Sequence, residues 1–447
     1  MSIATLILAA GQGSRMKSDL PKVLHKIAGA PMLWHTMQCA AQIEADQTIV
    51  VVGHGGEKTS DAAIEYDADA KIIWQKDQNG TGHAVQQAKA EMDDFDGDVI
   101  VLYGDTPFIR PETLQKMLEA RAQNSVVVLG FEAANPAGYG RLQMNGQSLE
   151  AIVEAKDCSP EQLEVTFCNS GVICAPAPLL FSLLAEVGND NANGEVYLTD
   201  IIAIARDRDL PCTAIACSEA ETMGINSRKN LADAEAAFQQ SARTATMENG
   251  VTLTAPDTVH FAFDTHIGRD TIIEPNVFFG LAVTIESGAT IRAFSHLEGC
   301  HIARDCVVGP YARLRPGAEL DLGAKVGNFV EIKAAQIEAG AKVNHLSYVG
   351  NARVGEGSNI GAGTIFCNYD GVNKHHTEIG KRVFIGSNSA LVAPVRIADD
   401  GFIATGSVVT SDVPEGALAI ARARLAIKPG LGKRMMDRLR AAKEANK

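Results

Sequence analysis

Aromatic residues make up only 5% of this 447-residue chain, with 2 tryptophans, so its cores are not built on large rings. Positive charge is short too: 40 Lys and Arg face 54 Asp and Glu, a formal charge of −14. Nucleic-acid binding needs a basic face for the phosphate backbone, so no nucleic-acid partner is expected, while small anions remain possible where cations gather locally. No apolar run approaches the ~18 residues that span a bilayer, so no membrane insertion is expected. Ile3 to Ala10 is apolar but lacks a basic flank or a cleavage pattern, and reads as a first strand rather than a signal peptide. The 9 cysteines form no CxxC pair or zinc spacing, which reads as reduced, mostly buried thiols in a cytoplasmic protein.

Glycine is plentiful, at 41 residues, and it punctuates a repeat. Aliphatic residues recur in a step of six at Val308, Leu314, Leu320, Val326 and Ile332, then after a slip at Ile337, Val343 and Val349, then at Val354, Ile360 and Phe366. The same beat runs upstream from Ile267 to Leu297 and downstream from Ile379 to Val409. This period matches neither a helix nor an ordinary strand, and it is the hexapeptide signature of a β-helix solenoid. Arg315 and Lys333 lie 18 residues apart, as do Ser387 and Thr405, a whole number of such steps. The stretch 367–378, CNYDGVNKHHTE, breaks the beat and reads as a loop, with His375 and His376 exposed rather than metal-bound.

The first half reads differently. Residues 3–10 form a buried parallel strand running into LAAGQGSRM and then LPK at 20–22, where Gly11 and Gly13 let a backbone approach a ligand and Arg15, Lys17, Lys22 and Lys26 supply positive charge. A strand at 48–53, another ending at Trp74, and DVIVLYGDTP at 98–107 continue an alternating α/β pattern to about residue 226. Asp105 stands at a strand end, where open α/β sheets bind ligands, although a turn or N-cap role suits an Asp there too. Residues 227–247 read as a polar helix of about five turns joining the halves. Beyond Pro429 lies a basic tail with helical propensity, suited to ending the solenoid or lying on a neighbour.

LAAGQGSRM followed by LPK resembles the signature loop of sugar-nucleotide pyrophosphorylases. With the coil behind it, the whole chain resembles the bacterial family that joins N-acetylglucosamine-1-phosphate uridylyltransferase to glucosamine-1-phosphate N-acetyltransferase. The resemblance implies a Rossmann-like nucleotidyltransferase domain (1–226), a helical linker (227–247) and a left-handed parallel β-helix with its tail (248–447). The period alone does not give the hand. For the first reaction it implies a nucleotide site of Leu8, Ala9, Ala10, Gly11, Gln75, Gly80, Thr81, Tyr103 and Gly104, with Arg15 and Lys22 at the triphosphate of UTP. It implies sugar positions at Gly140, Glu154 and Asn169 and Mg²⁺ on Asp105 and Asn226. Gln12 stands where lysine is common and Ser14 where threonine is usual, so one phosphate-facing charge is lost.

For the second reaction the resemblance implies His345 as general base, Glu331 as its possible orienter, and Arg315, Lys333, Tyr348 and Asn359 around the amino-sugar phosphate. Asn368 and Tyr369 fall to the sugar or the acetyl-CoA side, and Ala362, Ser387, Thr405 and Arg422 to acetyl-CoA, with Thr405 where alanine is usual. A backbone role would tolerate that change. The implied assembly is a homotrimer packed along the coils, acting in the cytoplasm on glucosamine 1-phosphate, acetyl-CoA, UTP and N-acetylglucosamine 1-phosphate. The rival reading keeps one nucleotidylyltransferase activity and makes the coil a trimerisation or regulatory module. A further rival changes the nucleotide or the sugar.

Overall fold

The computed structural model describes residues 2–136, 138–191 and 194–445, so Met1 and the last two residues of the basic tail lie outside it. Two compact units emerge, 1–242 with 261–263, and 243–260 with 264–447.

In the first unit, runs rich in Val, Ile and Leu, apolar on both faces, form the central buried strands β1 (Ile3–Ala9), β2 (Gln47–Val52), β4 (Asp98–Tyr103) and β5 (Val126–Glu132), joined by the less buried β3 (Lys71–Trp74), the hairpin β6 (Arg141–Asn145) and β7 (Ser148–Val153), β8 (Phe167–Pro176) and β9 (Cys212–Cys217). The sheet order is β9-β5-β8-β4-β1-β2-β3. All pairings along this path are parallel except those of β8, which runs antiparallel to β4 and β5. Helices cover both faces, and a separate apolar cluster lies on each side, one around Leu6, Leu8 and Val101, the other around Ile7, Val50 and Leu102. That alternation along β1 leaves the loop after Ala9 at the carboxyl edge of the sheet, beside the ends of β2 and β4.

The long helix is one continuous element, Arg228–Glu248, and the division between units falls within it. Its first half is fixed to the first unit: Glu235 accepts the backbone N–H of Ala28 at 2.7 Å, and Gln239 exchanges two hydrogen bonds with the backbone of Phe261, at 2.7 and 2.8 Å.

The second unit is a parallel coil. One row of strands runs from Thr252–Leu253 through Lys342–His345 to Leu418–Ala419, and two further rows merge through the long strands Glu331–Ile337 and Tyr348–Val354. Most neighbouring coils align 17 or 18 residues apart, as in Arg313↔Glu331 and Glu331↔Tyr348. The sixfold aliphatic positions point inward, with Ile273, Leu314, Val343, Ile360 and Ile403 each at most 2% exposed. Several buried hydroxyls bond to turn carbonyls, Ser358 to Gly380 at 2.8 Å and Thr364 to Gly361 at 2.7 Å, which offsets the cost of burying them, whereas the Thr377 hydroxyl is buried without such a bond. One corner carries left-handed residues that are not small: Phe294, Tyr311, Phe329 and Leu346 have φ between 50° and 59°. Their side chains are half-exposed, and the first three rings stack at 5.0 and 5.1 Å. Between Ala352 and Thr377 the repeat lengthens to 25 residues, and the extra chain leaves as a loop before 18-residue spacing resumes at Thr377↔Val395. The tail forms a helix, Leu431–Ala445, in which no residue is buried, so it covers none of the coil in this protomer.

Candidate functional site

A cavity of about 230 Å³ opens at the carboxyl edge of the first sheet. Its wall takes in Leu8, Ala9, Ala10, Gly11, Lys22, Gln75, Gly80, Thr81, Tyr103 and Asp105, all expected from the sequence, together with Val23, Gln78, Ala84 and Glu195, which were not. Gly80 has to be glycine: its φ is +107°, and a Cβ would stand 2.5 Å from the carbonyl oxygen of Val196. Gln75 is buried, and its amide nitrogen lies 3.1 Å from both the Gly80 carbonyl and Nδ1 of His83. Gln78 ties its segment to the glycine loop by donating to the Ala10 carbonyl at 3.0 Å.

At the mouth, Ile225 donates its N–H to the Asp105 carbonyl at 3.0 Å, which carries Asn226 alongside Asp105. The Lys22 ammonium joins the two side chains: it pairs with the Asp105 carboxylate and lies 3.2 Å from Asn226 Oδ1. Gly104 donates to the Leu8 carbonyl at 3.0 Å, locking the end of β4 against β1. Arg15 is exposed on the turn Ser14–Met16.

A second cavity, about 280 Å³, shares Thr81, Tyr103 and Glu195 with the first and adds Glu154, Asp157, Asn169, Tyr197 and Thr199. Gly140 adjoins it, since a Cβ there would be 3.5 Å from Glu154 Oε1. Burial first, then the nearby Asp200 and Asp157 charges, raise the Glu154 carboxyl above its ordinary range, against a hydrogen bond from Thr199.

In the coil, His345 ends a strand of the first row, in register with Asn328, and its Nδ1 lies 2.8 Å from Asn328 Oδ1. Opposite an amide oxygen, the tautomer with its hydrogen on Nδ1 satisfies this contact and leaves Nε2 as an acceptor. Glu331, expected as the orienter, pairs instead with Arg315 at 2.7 Å, because its strand belongs to the next face, beyond the corner at Leu346. Lys333 sits on that face in register with Gly350, and a Cβ on Gly350 would lie 2.3 Å from Tyr348 Oη and 2.8 Å from Asn368 Nδ2. The glycine therefore makes room for Tyr348 and for the buried Asn368, whose amide donates to Asn351 Oδ1 at 2.7 Å.

Asn359 lies on the row of His345, in register with Lys342. Tyr369 stands exposed in the loop, with the Lys374 ammonium 5.0 Å over its ring. Asp370 braces the loop, accepting from the N–H groups of Val372 and Asn373 and pairing with His375 at 2.6 Å, and those bonds hold its carboxyl well below the ordinary range. His376 lies 3.3 Å from Glu378, and among the described residues no cluster of three or more His, Cys, Asp or Glu is placed to bind a metal. Farther along, the backbone carbonyls of Ala362 and Ser387 accept from Asn388 and Gly406 on the following coils at 2.7 and 2.8 Å. Arg422 donates to the carbonyl of Thr405 at 2.6 Å, a contact indifferent to the side chain there.

Residues 5–165 match the model of the MobA-like NTP transferase domain. The protein named "Bifunctional protein GlmU" of Ruegeria sp. (strain TM1040) is 61% identical over 445 residues, covering 100% of this chain and 99% of the relative. Proteins of the same name from Jannaschia sp. (strain CCS1) and Paracoccus denitrificans (strain Pd 1222) are 57% and 54% identical, each across 99% of this chain and 98% of their own. The chain belongs to the bifunctional GlmU family. It is thus a bifunctional transferase of UDP-N-acetylglucosamine synthesis, a nucleotidyltransferase domain followed by a left-handed parallel β-helix, and the reading of the coil as assembly module alone is not favoured.

The residues that sequence reading missed share a cause. Glu195, Tyr197 and Thr199 arrive on a segment that folds over the cavity, Gly82 donating to the Val196 carbonyl at 2.8 Å. Asn328 and Gly350 matter only through register with the next coil, and the 17-residue offset between Asn328 and His345 was the one available signal.

Proposed function

We propose that the coil transfers the acetyl group of acetyl-CoA to glucosamine 1-phosphate and that the N-terminal cavity then joins N-acetylglucosamine 1-phosphate to UTP, releasing pyrophosphate. The observation that carries the reading is the convergence of Lys22, Asp105 and Asn226 at the mouth of a cavity walled by the Leu8–Gly11 loop. The two oxygens already share one cation, and a carboxylate plus a carboxamide suits Mg²⁺, which takes oxygen ligands and completes its shell with water and phosphate. Asp105 and Asn226 would hold it, and its charge would neutralise the triphosphate as pyrophosphate leaves.

Leu8 to Gly11 present backbone to the nucleotide, Gln75, Gly80 and Thr81 read the base, and Tyr103 and Gly104 close the strand end. Lys22 and Arg15 meet the phosphates, while Gly140, Glu154 and Asn169 hold the sugar. A sugar phosphate oxygen attacks the α-phosphorus in line, so alignment and charge suffice and no protein nucleophile is required.

In the coil, Arg315 and Lys333 hold the sugar phosphate, and Tyr348, Asn359, Asn368 and Tyr369 flank it. Ala362, Ser387, Thr405 and Arg422 line the acetyl-CoA. The amine nitrogen attacks the thioester carbonyl and the C–S bond breaks. The amine's proton passes to Nε2 of His345, which returns it to the departing sulfur so that the thiol leaves. His345 and Lys333 lie on different faces of one coil, and the half-exposed ring stack stands at the corner between them. That supports a homotrimer in which neighbouring coils complete each site. Nine free cysteines and two soluble co-substrates support action in the cytoplasm, and no helix among the described residues is long and apolar enough to cross a membrane.

The test is product analysis with glucosamine 1-phosphate, acetyl-CoA, UTP and Mg²⁺, each omitted in turn, on the wild type, His345→Ala and Asp105→Ala. His345→Ala should lose thiol release yet still turn added N-acetylglucosamine 1-phosphate and UTP into product, and Asp105→Ala should do the reverse. Full-rate thiol release without His345, or preference for another triphosphate over UTP, would overturn the reading.

A further inference from the structure

We infer that Lys22 is the resident cation of the Asp105–Asn226 site, and that metal and nucleotide bind cooperatively because the lysine has to be drawn off before a divalent ion can take both oxygens. The inference rests on the proposed metal site and deepens it. Lys22 opens a short turn after Pro21, and its ammonium reaches two residues far away in sequence, pairing with Asp105 and lying 3.2 Å from Asn226 Oδ1. Both partners of the ion pair are only 16% exposed, so water does little to screen it. An ammonium and a divalent ion compete for the gap: both draw on the same carboxylate and amide oxygens, and two cations held that close repel. Displaced alone, the ammonium would sit partly buried without a counter-charge, which is costly.

The same side chain lines the cavity beside Leu8 to Gly11, so a triphosphate bound there offers the ammonium a new anionic partner within one swing of its stem. Each ligand then removes the obstacle to the other. By linkage the coupling is reciprocal, and effects of this kind typically span about 5- to 150-fold in affinity. Lys22 thereby serves as a lock on the empty site and as a phosphate ligand in the loaded one.

The probe is Mn²⁺ alone, titrated by electron paramagnetic resonance into the full chain without nucleotide. Lys22→Met should bind Mn²⁺ at least about tenfold more tightly than wild type, within the range expected for such couplings. In the wild type, amine labelling of Lys22 read by peptide mass spectrometry should rise on adding Mn²⁺ alone and fall again when UTP is added. This second measurement needs no variant to fold. Equal or weaker Mn²⁺ binding by a folded Lys22→Met, or labelling unchanged by Mn²⁺, overturns the inference. If Lys22→Met shows the gain in Mn²⁺ affinity while the wild type gives no product with UTP, the nucleotide assignment fails and the resident-cation inference stands.

Discussion

Gly350→Ala isolates the coil's chemistry from its stability. The position lies in the strand Tyr348–Val354 and has no positive φ, so alanine fits the backbone. The added Cβ meets Tyr348 Oη at 2.3 Å and Asn368 Nδ2 at 2.8 Å, where ordinary contact begins at 3.4 Å. Tyr348 Oη must therefore retreat by roughly 1 Å, and a misplacement of that size in a positioning group costs about 100-fold in rate. The expected fall in kcat/KM for acetyl transfer is thus about 100-fold, equivalent to about 2.7 kcal/mol. Folding should suffer less, at about 1 kcal/mol, because the tyrosine is only half-buried and can swing outward. Thiol release measured against glucosamine 1-phosphate reads the loss, and uridylyl transfer on the same preparation shows that the chain is intact. Acetyl transfer at the wild-type rate would refute the placement of Tyr348 and Asn368 in the site.

Glu154→Gln should raise the melting temperature at pH 7 while weakening use of the sugar phosphate. The raised carboxyl pKa makes the folded state hold its proton more firmly than the unfolded chain, so stability falls as pH rises from 4.5 through the folded value. The gain should therefore vanish below pH 4.5, and an unchanged melting profile would exclude a buried charge at this position. His35 carries the opposite sign: burial lowers its pKa to about 4, although the Ile27 carbonyl 3.0 Å away and Glu235 oppose the shift. Its contribution is complete above 6.5 and is lost as pH falls through about 4. The loss amounts to about 3 kcal/mol. Melting curves across that window should flatten in His35→Gln, and the same slope in both proteins would assign the acid sensitivity elsewhere.

The coil was legible because a solenoid obeys one local rule many times over, and Leu314, Val343 and Ile403 are buried as the beat requires. Most of the glycine loop was legible for a related reason, since Leu8 to Gly11 lie next to one another in the chain and meet the ligand as one segment. Contacts across the fold were not. That His345 faces Asn328 rather than Glu331 depends on which face each residue occupies, and a period alone does not say where the corner falls. Asn226 was found through a motif, while the reason it reaches Asp105 is a backbone bond from Ile225 that no pattern announces.

The lengthened repeat between Ala352 and Thr377 bears on how such a scaffold acquires novelty. Because each coil aligns only with its neighbours, surplus residues expelled at one edge leave every later rung in phase, as the pairing Thr377↔Val395 shows. An insertion that would derail most folds is here confined to a single surface loop. The stack thus offers a chassis on which local irregularity can be tried without renegotiating the rest of the architecture.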